Sequence, residues 1–384
     1  MKVSLTDICD FQGGTQPPKD EWIDQPAQGY VRMLQIRDFT QSDKNYIEYV
    51  KDTGKLKICI EDDILIGRYG ASIGKILTGL AGAYNVAIVK TIPDEKVVSK
   101  KYLYWYLNSQ YFQRFISNVG SRAAQAGFNK NDLGAAQIPL VDKERQEEIC
   151  EVLEKANKLI SLRKQQLAKL DELIKARFVE MFGDFEFNPK EFAVYHLCEL
   201  CDVGSSKRIY QEEQSISGIP FLKVADLNEL IDTGKYSCST FIPLERYEQL
   251  LHKELTPTEN DILITSRGTL GKCYIVQSDD EFYFQDGMIS WLSNFSPKVS
   301  SIYISYLFAQ PYIQKQIESL QAGSTVAYLS IAMLKKINVI LPPKKLQDDF
   351  ATFVEHVDQQ KQTVQQGLEK LELMKKALMQ EYFG

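Results

Sequence analysis

From Asp142 to Phe182, apolar residues return in alternating steps of four and three. Counted from Ile149, they are Leu153, Ala156, Ile160, Leu167, Leu170, Ile174 and Met181, with Arg163 and Arg177 as polar breaks. Glu, Lys, Gln and Arg fill the spaces, and neither Pro nor Gly interrupts before Gly183. An apolar seam of period 3.5 on a long polar helix calls for a partner helix. A lone amphipathic helix lying on a domain would show a similar stripe, but about 40 residues exceeds the usual helix of roughly 8–20.

The partner lies in the same chain. Met181-Phe182-Gly183 is echoed by Tyr382-Phe383-Gly384, and 384 − 183 gives an offset of 201. At that offset the seam becomes Phe350, Val354, Val357, Val364, Leu368, Leu371, Leu378 and Tyr382, again with two breaks, Lys361 and Lys375. Gly367 lies inside this second helix and weakens it. The chain is one unit written twice.

The remainder repeats as well. Each copy begins with a short helix-like segment, Leu5–Phe11 and Leu197–Val203, followed by a polar turn: Gly13-Gly14-Thr15-Gln16 in the first, Gly204-Ser205-Ser206-Lys207-Arg208 in the second. A strand-like segment ending on Asp comes next, Val31–Asp38 and Ile219–Asp226. The clearest pairing is Asp63-Ile64-Leu65-Ile66-Gly67-Arg68-Tyr69-Gly70-Ala71-Ser72-Ile73-Gly74-Lys75 with Asp261-Ile262-Leu263-Ile264-Thr265-Ser266-Arg267-Gly268-Thr269-Leu270-Gly271-Lys272. Each reads as a buried strand entering a Gly-punctuated turn with an Arg and a Lys. A strand near Val86–Val89 (Met288–Leu292), an aromatic helix Lys101–Asn118 (Tyr303–Leu320) and a Gly/Ser turn complete each copy before the long helix. Linkers are read at Phe185–Lys190, at Pro139 and at Pro342-Pro343. The boundaries expected are a globular half over 1–141, a helix over 142–184, a globular half over 185–342 and a helix over 343–384.

Composition narrows the class. At 384 residues, 44% hydrophobic and 25% charged, the chain is a soluble globular protein of two or more domains. The first residues carry no apolar export region, and no run of 18 apolar residues exists, so a cytoplasmic location without a membrane span is expected. Seven cysteines without a framework of spacings fit a reducing compartment. A net charge of −6 argues against a free-standing basic DNA binder.

Most catalytic and metal readings fail on spacing. Gly70–Lys75 has three residues between its glycines where a phosphate loop needs four, and Ile76 stands where the Mg²⁺-binding hydroxyl belongs. Cys198-x-x-Cys201 has no second pair at zinc spacing, which leaves Cys9 and Cys201 as small apolar residues of a packed face. The three histidines, His196, His252 and His356, form no arrangement that recurs in both copies. No catalytic centre and no metal site is expected.

What recurs is the polar turn between buried strands, with groups suited to base edges and phosphates. Taken singly, Arg68, Lys75, Arg267 and Lys272 read as solvated turn charges; a duplicated turn on a rigid rod reads as a two-site reader.

The tandem order of globular half and heptad helix carries a resemblance, together with Asp-Ile-Leu-Ile…Arg…Gly…Gly-Lys and the lead-ins Ile138-Pro139-Leu140…Gln146 and Val339-Ile340-Leu341-Pro342…Gln347. The chain resembles the DNA-specificity subunit of type I restriction–modification systems over essentially its whole length. The resemblance implies an α+β fold: two globular α/β target recognition domains, joined and separated by two long helices in an antiparallel coiled coil, with pseudo-twofold symmetry between the repeats. It implies a subunit with no activity or cofactor of its own, bound to double-stranded DNA. Its partners would be two methyltransferase subunits, which use S-adenosylmethionine to modify adenine, and restriction–translocase subunits, which use ATP and Mg.

Base-reading residues in such subunits vary with the target, so they are placed by position alone. In the first copy these are Thr15, Gln16, Arg32, Gln35, Arg37, Arg68, Tyr69, Ser72, Lys75, Ser121 and Arg122. In the second they are Ser205, Ser206, Lys207, Arg208, Lys223, Ser266, Arg267, Thr269, Lys272, Ser324 and Thr325. A rod of about 60 Å, at about 1.5 Å per residue, suits a bipartite asymmetric target read in successive major grooves. The competing expectation is a two-domain scaffold that never meets nucleic acid.

Overall fold

The computed structural model describes residues 1–41, 47–122, 127–321 and 327–384, with 120–122 given by backbone course alone. The chain forms two compact units, Met1–Gln166 with Val364–Gly384, and Leu167–Thr363. The long helices are therefore shared out: each unit holds one globular half and a part of both helices. The expected division into separate globular and helical domains gives way to this one because the seams pack on the globular cores as well as on each other.

In the first unit, Cys9–Gly13, Ile88–Pro93, Leu65–Gly67 and Ile76–Leu77 form an antiparallel sheet in that order. A second sheet runs Tyr49–Lys51, Tyr30–Leu34, Gly82–Tyr84 and Ile58–Cys59, its two central strands parallel. Lys2–Ser4 pairs with Gln137–Pro139 and returns the chain to the long helix Lys143–Phe182. The second unit repeats the plan. Asp202–Gly204, Ile289–Ser293, Ile262–Thr265 and Cys273–Ile275 form the antiparallel sheet. Phe241–Ile242, Ile219–Leu222 and Tyr283–Phe284 form the other, and its last two strands are parallel. Ala193–His196 pairs with Asn338–Leu341 before the second long helix, Lys344–Phe383.

Several local expectations shift. The opening helices are a single turn each, Leu5–Ile8 and Leu197–Glu199, because the following residues soon pair as strands, Cys9–Gly13 with Ile88–Pro93 and Asp202–Gly204 with Ile289–Ser293. The Asp closing each apolar segment caps a helix: Asp38 accepts the Gln35 N–H at 2.7 Å, and Asp226 accepts the Lys223 N–H at 2.8 Å. Those segments are thus strand then helix, with Asp at the third helical position. The aromatic helix is two helices, Lys100–Leu107 and Gln110–Arg122, and likewise Ser301–Phe308 and Pro311–Leu320. Cys9 and Cys201 are buried, as their packed-face reading requires.

Within each unit the helix parts run antiparallel. In the first, Lys164 meets Glu372 at 2.9 Å and Asn157 accepts from Lys375 at 2.7 Å. In the second, Lys361 meets Asp171 at 2.7 Å. Ile149, Leu153, Ala156, Ile160, Ile174 and Met181 are buried, as are Phe350, Val354, Val357, Val364 and Leu368, whereas Leu167, Leu170 and Leu371 are half-buried. The polar breaks have partners of their own: Lys375 stands 5.3 Å from the Trp105 ring centre and Arg177 stands 5.7 Å from that of Phe353. Burial, acting first, lowers the Lys375 pKa. Gly367 does not break the second helix.

Candidate nucleic-acid interface

The parallel strand pair positions the site in each unit. In the first, Asn85 N–H donates to Leu34 O at 3.1 Å, fixing the turn after Gly82–Tyr84 beside the end of Tyr30–Leu34. Thr15 N–H donates to Tyr84 O at 3.0 Å, Gly14 N–H to Ile88 O at 3.1 Å and Arg68 N–H to Ala87 O at 2.8 Å. Four turns therefore converge: 13–16, 34–37, 67–69 and 84–88. Gly14 is required there, since a Cβ would lie 2.1 Å from Asn85 O.

The second unit makes the same convergence. Gln285 N–H donates to Leu222 O at 2.9 Å, and Ser266 N–H donates to Met288 O at 2.9 Å. Ser206 Oγ donates to Phe284 O at 2.6 Å and Ser205 Oγ to Ile289 O at 3.1 Å. The Tyr283 hydroxyl holds the Lys207 backbone, accepting its N–H at 2.8 Å. Burial pushes this phenol up to about 12, so it stays neutral. The carboxyl ends of adjacent parallel strands are a common place for a ligand crevice in α/β sheets, and here they carry Gln35 and Asn85 in one unit, Lys223 and Gln285 in the other.

The sequence-chosen residues divide by burial. Thr15, Gln35, Arg37 and Arg68 gather around the first convergence; Gln16 is exposed at its rim. Arg68 Nε donates to Phe128 O at 2.9 Å, and its guanidinium lies 5.0 Å from the ring centre of Tyr69, itself 41% exposed. Arg267 is exposed and stands 5.3 Å from the Tyr328 ring centre. Arg32 turns inward to Asp38 at 3.1 Å. Ser72 and Lys75 lie on the next turn, with Lys75 exposed. Lys207, Arg208, Lys223 and Thr269 are exposed, and Arg208 pairs with Asp286 at 2.8 Å.

Three assignments need correction. Ser206 and Ser266 are buried, and Ser266 Oγ shares a hydrogen bond of 2.7 Å with Ser290 Oγ, so both brace turns and present nothing outward. Lys272 is committed to Asp232 at 2.6 Å. The side chains of Ser121 and Arg122, and all of Ser324 and Thr325, lie outside the described residues. Sequence reasoning passed over Asn85, Gln285, Asp286, Glu48 and Tyr328. The first three share a signal: a polar turn directly after a short apolar strand.

Among the described residues no helix is long and apolar enough to cross a membrane, and no group of three His, Cys, Asp or Glu side chains could hold a metal ion. The sequence profile described as "Type I restriction modification DNA specificity domain" matches residues 1–172 and 189–373. The chain belongs to that family. Its role is to supply DNA sequence specificity, and the scaffold alternative finds no support. It is 25% identical to the type I restriction enzyme MjaVIII specificity subunit of Methanocaldococcus jannaschii, over 98% of this chain and 90% of that one. It is 26% identical to a putative type I restriction enzyme specificity subunit of Haemophilus influenzae, over 73% and 70% of the two chains. Two solved structures share the fold across the whole chain. One, from a type I R-M system solved for its complex assembly and conformational transition, has a TM-score of 0.61 at 14% identity and is covered over 97% of its length. The other, the S subunit from M. genitalium, has a TM-score of 0.57 at 15% identity and is covered over 96%.

If the turn arginines face DNA, Arg68→Ala and Arg267→Ala will each weaken methylation of target DNA by about 1–3 kcal/mol. Rates measured on a target duplex with each variant check this; normal rates would return both residues to a purely structural role.

Proposed function

We propose that each unit reads one short sequence of a bipartite, asymmetric DNA target through its convergent turns, and that the chain is a non-catalytic specificity subunit. One observation carries this reading. The same four turns meet in both units, two of the ties being equivalent backbone hydrogen bonds and the others passing from the Gly14 and Thr15 N–H groups to the Ser205 and Ser206 hydroxyls, yet the outer side chains differ: Gln35 and Arg37 in one, Lys223 and Ala225 in the other. A shared scaffold with different polar tips is what reading two unlike sequences requires. By the family resemblance, two methyltransferase subunits would supply S-adenosylmethionine chemistry on adenine, restriction subunits would use ATP and Mg, and the complex would work in the cytoplasm. Mapping methylated adenines in cells that carry the chain with its partners tests the reading. Two short sequences separated by unread base pairs are expected; one continuous site, or methylation independent of this chain, would overturn it.

The charge balance adds a second expectation. A pI of about 5.4 is too low for a chain that neutralises many phosphates unaided. The isolated chain should bind target duplex weakly and its methyltransferase complex tightly at matched salt. Nanomolar, sequence-specific binding by the chain alone would defeat the idea that its partners supply most phosphate contacts.

A further inference from the structure

The first unit contains a polar clamp that the second lacks. Glu48 precedes strand Tyr49–Lys51, and its carbonyl accepts the Met33 N–H at 2.8 Å, which sets it across from the end of Tyr30–Leu34. Its carboxylate accepts from Gln35 Nε2 at 2.8 Å and also from Arg37 and Lys19. Only a fifth of the Glu48 side chain is exposed (20%). In the second unit the Phe221 N–H donates to Thr240 O at 2.9 Å, so Thr240 takes the place of Glu48. Lys223 then stands for Gln35 and Ala225 for Arg37, and among the described residues no carboxylate–amide–guanidinium group forms there.

The clamp decides which way the Gln35 amide faces. A carboxylate only accepts, so the side of Gln35 turned to Glu48 is its NH₂ group. With the hydrogen trans to Oε1 turned to Glu48, the amide keeps its cis hydrogen and the oxygen Oε1 side by side. That donor–acceptor pair matches the N7 acceptor and N6 donor of adenine in the major groove, and no other base presents both there in that order. A Gln free to flip would offer its pair in either order and discriminate less. The two cations beside Glu48 offset its charge near a polyanion, where an uncompensated carboxylate would repel.

We propose that Glu48 is a positioning residue for sequence reading: it presets Gln35 to read an adenine in the sequence recognised by the first unit. The inference rests on the two-unit reading above and deepens it. Glu48 itself touches no base.

The test uses the full chain with its partner subunits in cells, with methylated sites mapped for wild type, Glu48→Gln, Glu48→Ala, Gln35→Ala and the double variant Glu48→Ala/Gln35→Ala. Loss of a bidentate base contact corresponds to roughly a 5- to 150-fold loss of discrimination. Gln35→Ala and Glu48→Ala should each relax the same single adenine position by that order, and the double variant should relax it no further. Glu48→Gln, nearly isosteric but able to donate, should relax it too. The other half of the target should keep its sequence in every variant. A merely structural role would lower methylation evenly at all sites without changing the base accepted at one position. Uniform loss, an unchanged motif, or relaxation at different positions for Glu48 and Gln35 would overturn the proposal. Should the wild-type chain leave no two-part methylation pattern, the two-unit reading itself falls, and this inference with it.

Discussion

Gln347→Leu should lower the unfolding free energy of the second unit by about 3 kcal/mol, and Gln146→Leu should do the same to the first. Neither side chain has any exposed surface. Gln347 accepts the Ser300 N–H at 2.9 Å and donates to Lys298 O at 3.0 Å and to Pro342 O at 2.7 Å. Gln146 makes the same three bonds at 2.9 Å each, to Ser99, Val97 and Val141. Each amide thus ties the first turn of a long helix to the start of the aromatic helix and to the strand that leads in. Leu fills a similar volume, so no large cavity opens; the loss comes from backbone groups left without partners, roughly 1–3 kcal/mol for each one that stays buried. Hydrogen exchange distinguishes the two units. With Gln347→Leu, protection should fall in strands Ile262–Thr265 and Ile289–Ser293 and persist in Leu65–Gly67 and Ile88–Pro93. A loss under about 1 kcal/mol would mean that water replaces the amide at little cost.

These two glutamines show why so much of the fold was legible. An offset of 201 residues, found from the chain's repeated Phe-Gly endings, carries Gln146 onto Gln347 and Ser99 onto Ser300. It also carries Tyr102 onto Tyr303, whose hydroxyls donate to Pro139 O and Ile340 O, again 201 apart. A duplication exposes itself through such matched positions, and the heptad seam through its period. The site was less legible because polarity and burial part company there. Ser206 and Ser266 look like the exposed Thr269 in sequence, yet they point inward. Glu48 lies 13 residues from Gln35 in the chain and meets it only because strands Tyr30–Leu34 and Tyr49–Lys51 pair antiparallel. No local pattern announces a contact of that kind. Tyr328 stands 61 residues beyond Arg267 (328 − 267) and reaches it across an isolated bridge.

The seam holds to the end of the first long helix, where Ile174 and Met181 are buried, but two buried rings lie beside it and lead to the second large effect. Steps of four and three from Ile149 arrive at Ile174, Arg177 and Met181, and they leave out Phe178 and Phe182, which are buried as deeply as Ile174. A straight helix drifts by about 20° per heptad against a 3.5 repeat, and near its end the first long helix faces the globular core of the second unit as well as its partner helix. Phe178, 1% exposed, lies among Phe182, Phe350, Phe185 and Tyr303, with ring centres at 4.8, 5.3, 5.6 and 5.8 Å.

Phe178→Ala should therefore destabilise the second unit by about 3–5 kcal/mol, the range for removing a buried ring whose neighbours cannot close the gap. The position 201 residues later is Met379, half-buried beside Phe383, Tyr102 and the rest of the first core. Met379→Ala should cost the first unit clearly less, because part of that side chain already meets solvent. Denaturant unfolding of both variants, followed by hydrogen exchange in each unit's strands, measures the difference. Equal losses in the two units would show that the ring cluster adds nothing beyond what the shorter, flexible methionine provides in its repeat. A loss for Phe178→Ala confined to the second unit would show that the end of the first long helix is anchored by aromatic packing on the core of that unit.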